Sequence, residues 1–280
     1  MKKGHRLLRA IAITAATVLL LLCPFMRLFE SMAVMGVYSA INARDSLIAK
    51  ENIDISIPGG FSTSEREWYP FVMTFNADAG FSRFVSRPGT QLTIMYNFAQ
   101  FDPLKGCSEL YDEASPLYSS FYGAYAVKTA DGVPFGFKKV GGEYVLDESS
   151  TALVPEFDYH NLVLRDFGLN ADNAVFDWKI TYNENCEYLG MDGWTRIDAD
   201  LTVNGCAHRY DGFVQSYLQY GAPAYDCRQP LAPVNMKGRV YAKYFAEKDV
   251  SIFMYVLTKD AHELERTDEQ ILSKSAISFE

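Results

Sequence analysis

Strand-like segments follow one another along most of this chain at short spacing, with no regular helix between them. "EWYPFVMTFN", "QLTIMYNFAQF", "AVFDWKITYN", "WTRIDADLTV", "GRVYAKYFA" and "VSIFMYVLT" are rich in aromatic and β-branched residues, which pack well on a pleated surface. Parallel sheets need a crossover between paired strands, usually a helix, and no such rhythm recurs. The fold class predicted is therefore α+β and β-dominated. It has an antiparallel sheet or sandwich-like body, a short C-terminal helix, and an N-terminal membrane or export helix. Aromatic residues make up 14% of the 280 residues, a share that excludes a disordered chain.

The clearest strand is "WTRIDADLTV". Thr195, Ile197, Ala199, Leu201 and Val203 share one face, and Trp194, Arg196, Asp198, Asp200 and Thr202 the other. Asn204-Gly205 then reads as a two-residue hairpin turn, with Cys206 opening the return strand opposite Val203. "DYHNLVLRDFG" reads as a helix ending at Gly168. "TDEQILSKSA" carries a capping-box pattern, Thr267 with Gln270, ahead of a short C-terminal helix.

The N-terminus bounds location. "MKKGHRLLR" is basic, and Ala10 to Met26 is a run of 17 residues without charge. As a helix it is about 25 Å long, slightly short of a hydrocarbon core of about 30 Å. The basic flank stays cytoplasmic, which places the body outside. The expected arrangement is a signal anchor over residues 1–43 and an extracytoplasmic β-rich domain over 44–280. The stretch "SMAVMGVYSAIN" is a membrane-proximal extension that continues the helix or lies along the interface. The alternative is secretion after cleavage near Ala33, because Ser31 and Ala33 are the small residues a signal peptidase needs.

Charge narrows the partners. The net charge is −9. Residues 1–43 carry +4, leaving −13 on the rest. An acidic body excludes phosphate-neutralising contact with nucleic acid. The predicted partners are the membrane, through Ala10 to Met26, and a protein or glycan outside the cell.

Export also changes how the cysteines read. Cys23 lies in the hydrophobic run, and four remain. An even number in an oxidising compartment predicts two disulfides. Cys186 and Cys206 fall at opposite ends of a long strand, too far apart to bridge. The pairing predicted is Cys186–Cys227 and, by elimination, Cys107–Cys206.

Candidate chemistry is sparse. Cys206, His208 and Asp211 lie within six positions, and a Cys–His pair on one strand is able to activate a thiolate. The body holds three histidines, His160, His208 and His262, and no G-x-S-x-G elbow or phosphate-cradling glycine loop. Carboxylate pairs such as Glu156/Asp158 and Asp198/Asp200 are expected by number alone among 35 acids. No zinc or calcium spacing is present, so neither a metal nor a cofactor is expected. Tyr118, Tyr122 and Trp194 are candidates for an exposed aromatic platform. The function expected is a membrane-anchored extracytoplasmic binding or interaction protein. The alternatives are an envelope hydrolase using acidic residues or the Cys206/His208 pair, and an accessory subunit of a membrane complex.

Overall fold

The computed structural model describes residues 2–21, 23–64, 67–164, 174–207, 210–215, 220–223 and 231–279. Helices α1 (Lys2–Leu21), α2 (Pro24–Arg44) and α3 (Leu47–Lys50) precede strands β1 (Ile53–Ser56) and β2 (Met73–Asn76). Then come α4 (Asp78–Phe84), β3 (Gln91–Phe98), β4 (Phe101–Asp102), β5 (Cys107–Ser108), β6 (Phe121–Lys128), β7 (Phe137–Val140), β8 (Glu143–Leu146) and α5 (Glu148–Asp158). A π-turn, Tyr159–Val163, extends α5. The rest is β9 (Phe176–Tyr188), β10 (Met191–Asn204), β11 (Tyr210–Gln215), β12 (Tyr220–Pro223), β13 (Pro233–Phe245), β14 (Val250–Thr258), α6 (Ala261–Gln270) and β15 (Ala276–Phe279).

Seven strands form one sheet in the order β2-β3-β6-β14-β13-β10-β9, and every neighbouring pair is antiparallel. The remaining strands form two-stranded ribbons, including β1 with β15. The β-dominated α+β class is what the chain adopts, with helices and loops rather than a second sheet on the faces. β14 is buried at all nine positions, because both of its faces are covered. That is why "VSIFMYVLT" shows no polar alternation.

One face carries Ile94, Tyr96, Tyr125, Phe253, Tyr255, Val240 and Ile197, which follow one another across the strand register. α4 and α5 cover it: Phe81 and Phe157 meet Tyr125 edge-on at 5.7 and 6.5 Å. On the other face Leu47 N–H donates to Thr93 Oγ1, Tyr122 donates to the Pro58 carbonyl, and Trp68 packs edge-on against Tyr122. Further along that face α6 holds Arg239 and Tyr241.

Three local expectations are corrected. Asn204-Gly205 is not a hairpin turn: β10 pairs only with β9 and β13, and β11 pairs with β12. Asn204 instead ties the end of β10 to the residue before β9, its Oδ1 accepting from Val175 N–H. Gly205 is needed for close approach, since a Cβ there would lie 2.6 Å from the Tyr118 hydroxyl and 2.8 Å from the Ala232 carbonyl. The tight hairpin is Leu189-Gly190, with φ of 53° and 70°, which joins β9 to β10 and places Cys186 inside β9 opposite Trp194. Finally, α6 starts earlier than the Thr267 pattern predicts. Its N-cap is Asp260, whose side chain accepts from Glu263 N–H, and Thr267 lies inside the helix. The helix expected through Gly168 is formed as α5 and its π-turn up to Val163, and residues 165–173 lie outside the described part.

The hydrophobic run at the N-terminus is also divided. α1 ends at Leu21, and Pro24 starts α2 with Cys23 as its N-cap. Proline is at home in a first turn but breaks a helix interior. Among the described residues, no helix is long and apolar enough to cross a membrane.

Candidate functional site

Two buried polar clusters and one exposed helical arm stand out as places where this chain does more than pack. The arm comes first in sequence. Every side chain from Arg9 to Leu20 is exposed, including Ile11, Ile13, Val18, Leu19 and Leu20 at 48–71% of full exposure. Isolated exposed apolar residues are ordinary, but a contiguous patch marks an interaction site. The arm is rooted in the body by α2. Thr74 N–H donates to Ser39 Oγ at 2.8 Å, and Asn76 Nδ2 donates to the Asn42 carbonyl at 2.8 Å. These bonds cap the outer edge of β2, and Ser31 and Met35 are buried beside them. The boundary expected after residue 43 thus falls at the end of a helix that belongs to the body's packing.

The second feature is Asp158, the last residue of α5, with no exposed surface. Its two oxygens accept from the hydroxyls of Tyr125 on β6 and Tyr255 on β14. Burial pushes its carboxyl up to about 7, and the two hydroxyls only partly offset this. Tyr125 and Tyr255 are raised well above their ordinary value, first by burial and then by Asp158. Tyr96 is close enough to feel both Asp158 and Cys206. Its hydroxyl is buried with no hydrogen-bond partner among the described residues. Glu156, the other half of the expected pair, is not brought to Asp158, because residues two apart on a helix face different ways. The Asp158 oxygens have no access to solvent, and the cluster satisfies a buried carboxyl within the core. Its tyrosines are held protonated, which suits them to donate hydrogen bonds rather than to act as bases.

The third feature is the reverse case. Arg239 on β13 is 1% exposed and its guanidinium meets three carboxylates. Asp198 is held by Nε at 2.7 Å and Nη2 at 2.9 Å. Glu265 is held by Nη1 at 2.9 Å and Nη2 at 2.6 Å. Asp268 accepts from Nη1 and, at 2.8 Å, from the Tyr241 hydroxyl. Arg196 grips Asp198 from the next strand position. Burial works against the Arg239 charge, but the carboxylates outweigh it and its pKa is raised. Burial likewise opposes the Asp198 charge, yet the two arginines hold its carboxyl below the usual range. Asp198 and Arg196 therefore serve as one wall of a clamp between β10, β13 and α6, and Asp198 does not pair with Asp200, which instead meets Lys237.

The residues singled out as chemical candidates fare differently. Cys206 is fully buried, donates to the Leu110 carbonyl at 3.2 Å and lies 3.2 Å from Ser119 Oγ. Burial pushes its thiol up to about 12, which disfavours the thiolate that nucleophilic chemistry needs. His208 lies outside the described residues. Asp211 falls in β11, and its side chain lies outside the description.

The structure draws no disulfide at Cys107, Cys186 or Cys206, yet Cys107 sits only three residues before the Leu110 carbonyl that Cys206 bonds, and the Cys107–Cys206 bridge stays a proposal. Cys227, the expected partner of Cys186, lies outside the described residues. Cys186 pairs with Trp194, and Cys206 follows the far end of β10, twelve residues on and thus on the order of 40 Å away.

Tyr118, Tyr122 and Trp194 are 2%, 0% and 0% exposed. They form no platform: the Tyr118 hydroxyl accepts from Ala207 N–H, and Trp194 stacks edge-on with Tyr188. Among the described residues no group of three or more His, Cys, Asp or Glu side chains is placed to hold a metal ion. Sequence reasoning did not single out Arg239, and it read Asp158 only as part of a pair. A lone arginine in the middle of "MKGRVYAKYF" was the available signal.

No known family model matches this chain, no curated protein matches it, and no solved structure matches it.

Proposed function

We propose that this chain is a membrane-attached interaction protein of the cell envelope. Residues Ala10 to Met26 hold it at the membrane, and the β-rich body stands on the outer side. The observation that carries this reading is the exposed apolar surface of α1, which this chain leaves uncovered. Water is an unfavourable neighbour for Ile11, Ile13, Val18, Leu19 and Leu20, at roughly 25 cal/mol per Å² of apolar surface. A bilayer is the neighbour their chemistry fits. The basic residues Lys2, Lys3, Arg6 and Arg9 ahead of the run support the orientation, since such flanks remain on the cytoplasmic side. The acidic remainder of the chain, at −13, has no charge attraction to anionic lipid, which suits attachment through the arm rather than through a basic surface.

The test is extraction and topology of the full-length chain. It should stay with membranes through alkaline carbonate, and Leu19→Lys with Leu20→Lys should release it. Trypsin added to right-side-out vesicles should cut at the exposed Lys138 and Lys139 of the β7–β8 hairpin. A wild-type chain that leaves the membrane in carbonate, or a hairpin protected until the vesicles are lysed, would overturn the proposal.

A further inference from the structure

α2 buries Met35 and packs Met32 against the body, yet it leaves a second apolar stripe facing outward. On an ordinary surface helix the apolar stripe faces the protein and the polar residues face out. Here three polar residues of the helix turn inward: Ser31 is 2% exposed, and Ser39 and Asn42 are spent on the β2 edge. The outward stripe is Val34, Val37 and Ile41, at 50%, 62% and 57% exposure, and Tyr38, 37% exposed, borders it with its ring tilted against Phe75 of β2 at 5.7 Å. Spacings of three, four and seven put these residues on one side of the helix, over about 10 Å of its length. From Ser31 to Ala43 there is no charged residue at all, on a chain that is otherwise 22% charged. Ala33 and Ala40, also exposed, widen the stripe without interrupting it.

The stripe follows the arm along the chain: α1 ends at Leu21 and α2 begins at Pro24, and Phe29, 61% exposed, precedes Val34 on α2. Tyr38 has the mixed character of side chains found at the level of lipid headgroups, an apolar ring with a polar tip. We infer that the outer face of α2, through Val34, Val37, Tyr38 and Ile41, lies in the boundary between lipid headgroups and hydrocarbon. The body therefore rests against the membrane by the β2 edge of its sheet instead of swinging on a tether. This rests on the proposed membrane attachment and adds a second, separate contact to it. The clamp from Ser39 and Asn42 to β2 turns that contact into an orientation. With α2 fixed on the edge strand, the opposite edge, β9, is held farthest from the bilayer, where a soluble partner reaches it.

Photo-crosslinking in native membranes tests this. Benzoylphenylalanine is placed in turn at Val34, Val37 and Ile41, and as a control at Val145, which is 46% exposed on the β7–β8 hairpin. After irradiation each variant is analysed by mass for lipid adducts and by gel for protein adducts. Lipid adducts at the three α2 positions, several-fold above Val145, are the expected result. A protein-sized adduct at those positions, to a second copy or to another chain, overturns the inference and makes α2 a protein-docking face. Absence of any adduct while the variants resist carbonate overturns it too, and leaves attachment through α1 standing. Lipid adducts of equal yield at Val145 also overturn it, because the contact is then not confined to α2. Loss of the wild-type chain from the membrane, by contrast, defeats the attachment reading itself.

Discussion

Asp158, fully buried, and Asp198, half-buried, lie beside the same sheet, one on each face, and they end in opposite electrostatic states. Asp158 has tyrosine hydroxyls as its partners and no cation, so burial dominates and its carboxyl rises to about 7. Asp198 has Arg239 and Arg196, so the charge survives burial and the carboxyl is held low. The two aspartates differ in depth and also in the counter-charge the fold brings to them. A hydroxyl satisfies a carboxylate oxygen but does not neutralise it.

Removing that counter-charge should have the largest effect. Arg239→Met leaves Asp268 and Glu265 without the guanidinium they share and Asp198 with Arg196 alone, and stripping one side of a buried ion cluster costs about 3–5 kcal/mol. Urea unfolding of the detergent-extracted chain measures this. Adding Asp198→Leu and Asp268→Leu to the same variant should recover much of the loss, because the penalty belongs to the stranded charges. If Arg239→Met alone costs less than about 1 kcal/mol, on the scale of an exposed pair, the clamp is not a buried ion cluster in solution.

The next effect is a pair of opposed pH slopes. Asp158 has a folded pKa above its ordinary value of about 3.9, so the folded state holds a proton that the unfolded state has released. Its contribution to stability is present below pH 4 and is lost as pH rises through about 7. Asp198 and Glu265 sit below their ordinary values, so their contribution is present above that range and is lost as pH falls into acid. Asp158→Asn should therefore remove the decline between about pH 4 and pH 7 and leave the acid side unchanged. Parallel wild-type and Asn curves across that window would show that Asp158 is ionised throughout and that the contrast with Asp198 is wrong.

The smallest effect concerns reactivity. Cys206 sits against the Asp158 side of the sheet, near Tyr96 and Tyr159, and its thiol is pushed up to about 12. In the folded chain it should resist maleimide at pH 7.5, and it should react once urea exposes it, without added reductant. Labelling in the folded state would reopen the nucleophile reading. A Cys206 that labels only after reduction, with a Cys107 peptide attached, would establish the bridge that export predicts.

Much of the fold was legible because it depends on local pattern. The alternation in "WTRIDADLTV" put Thr195, Ile197, Ala199, Leu201 and Val203 on one face, and all of them but Thr195 are buried. "VSIFMYVLT" coincides with β14 to the residue. What misled was chemistry that local signals share. Asn204-Gly205 has the residues of a turn, but the glycine is there to let Tyr118 and Ala232 approach. Thr267 with Gln270 copies a capping box inside a helix already started by Asp260. Tyr118, Tyr122 and Trp194 resemble a recognition surface in sequence and are core in space.

The sequence by itself determined the strand-rich class, the antiparallel pairing, and a basic, then uncharged, N-terminal arm. These follow from periodicity, spacing and composition, which neighbours along the chain suffice to express. Only the tertiary structure decided which aspartate keeps its charge and which way α2 turns its polar residues. Both depend on partners far away in sequence. Asp198 meets Arg239 across 41 positions and Asp158 meets Tyr255 across 97. Ser39 finds Thr74 only because β2 ends the sheet. A counter-charge or a free strand edge is a property of the assembled sheet, and no stretch of this sequence contains it alone.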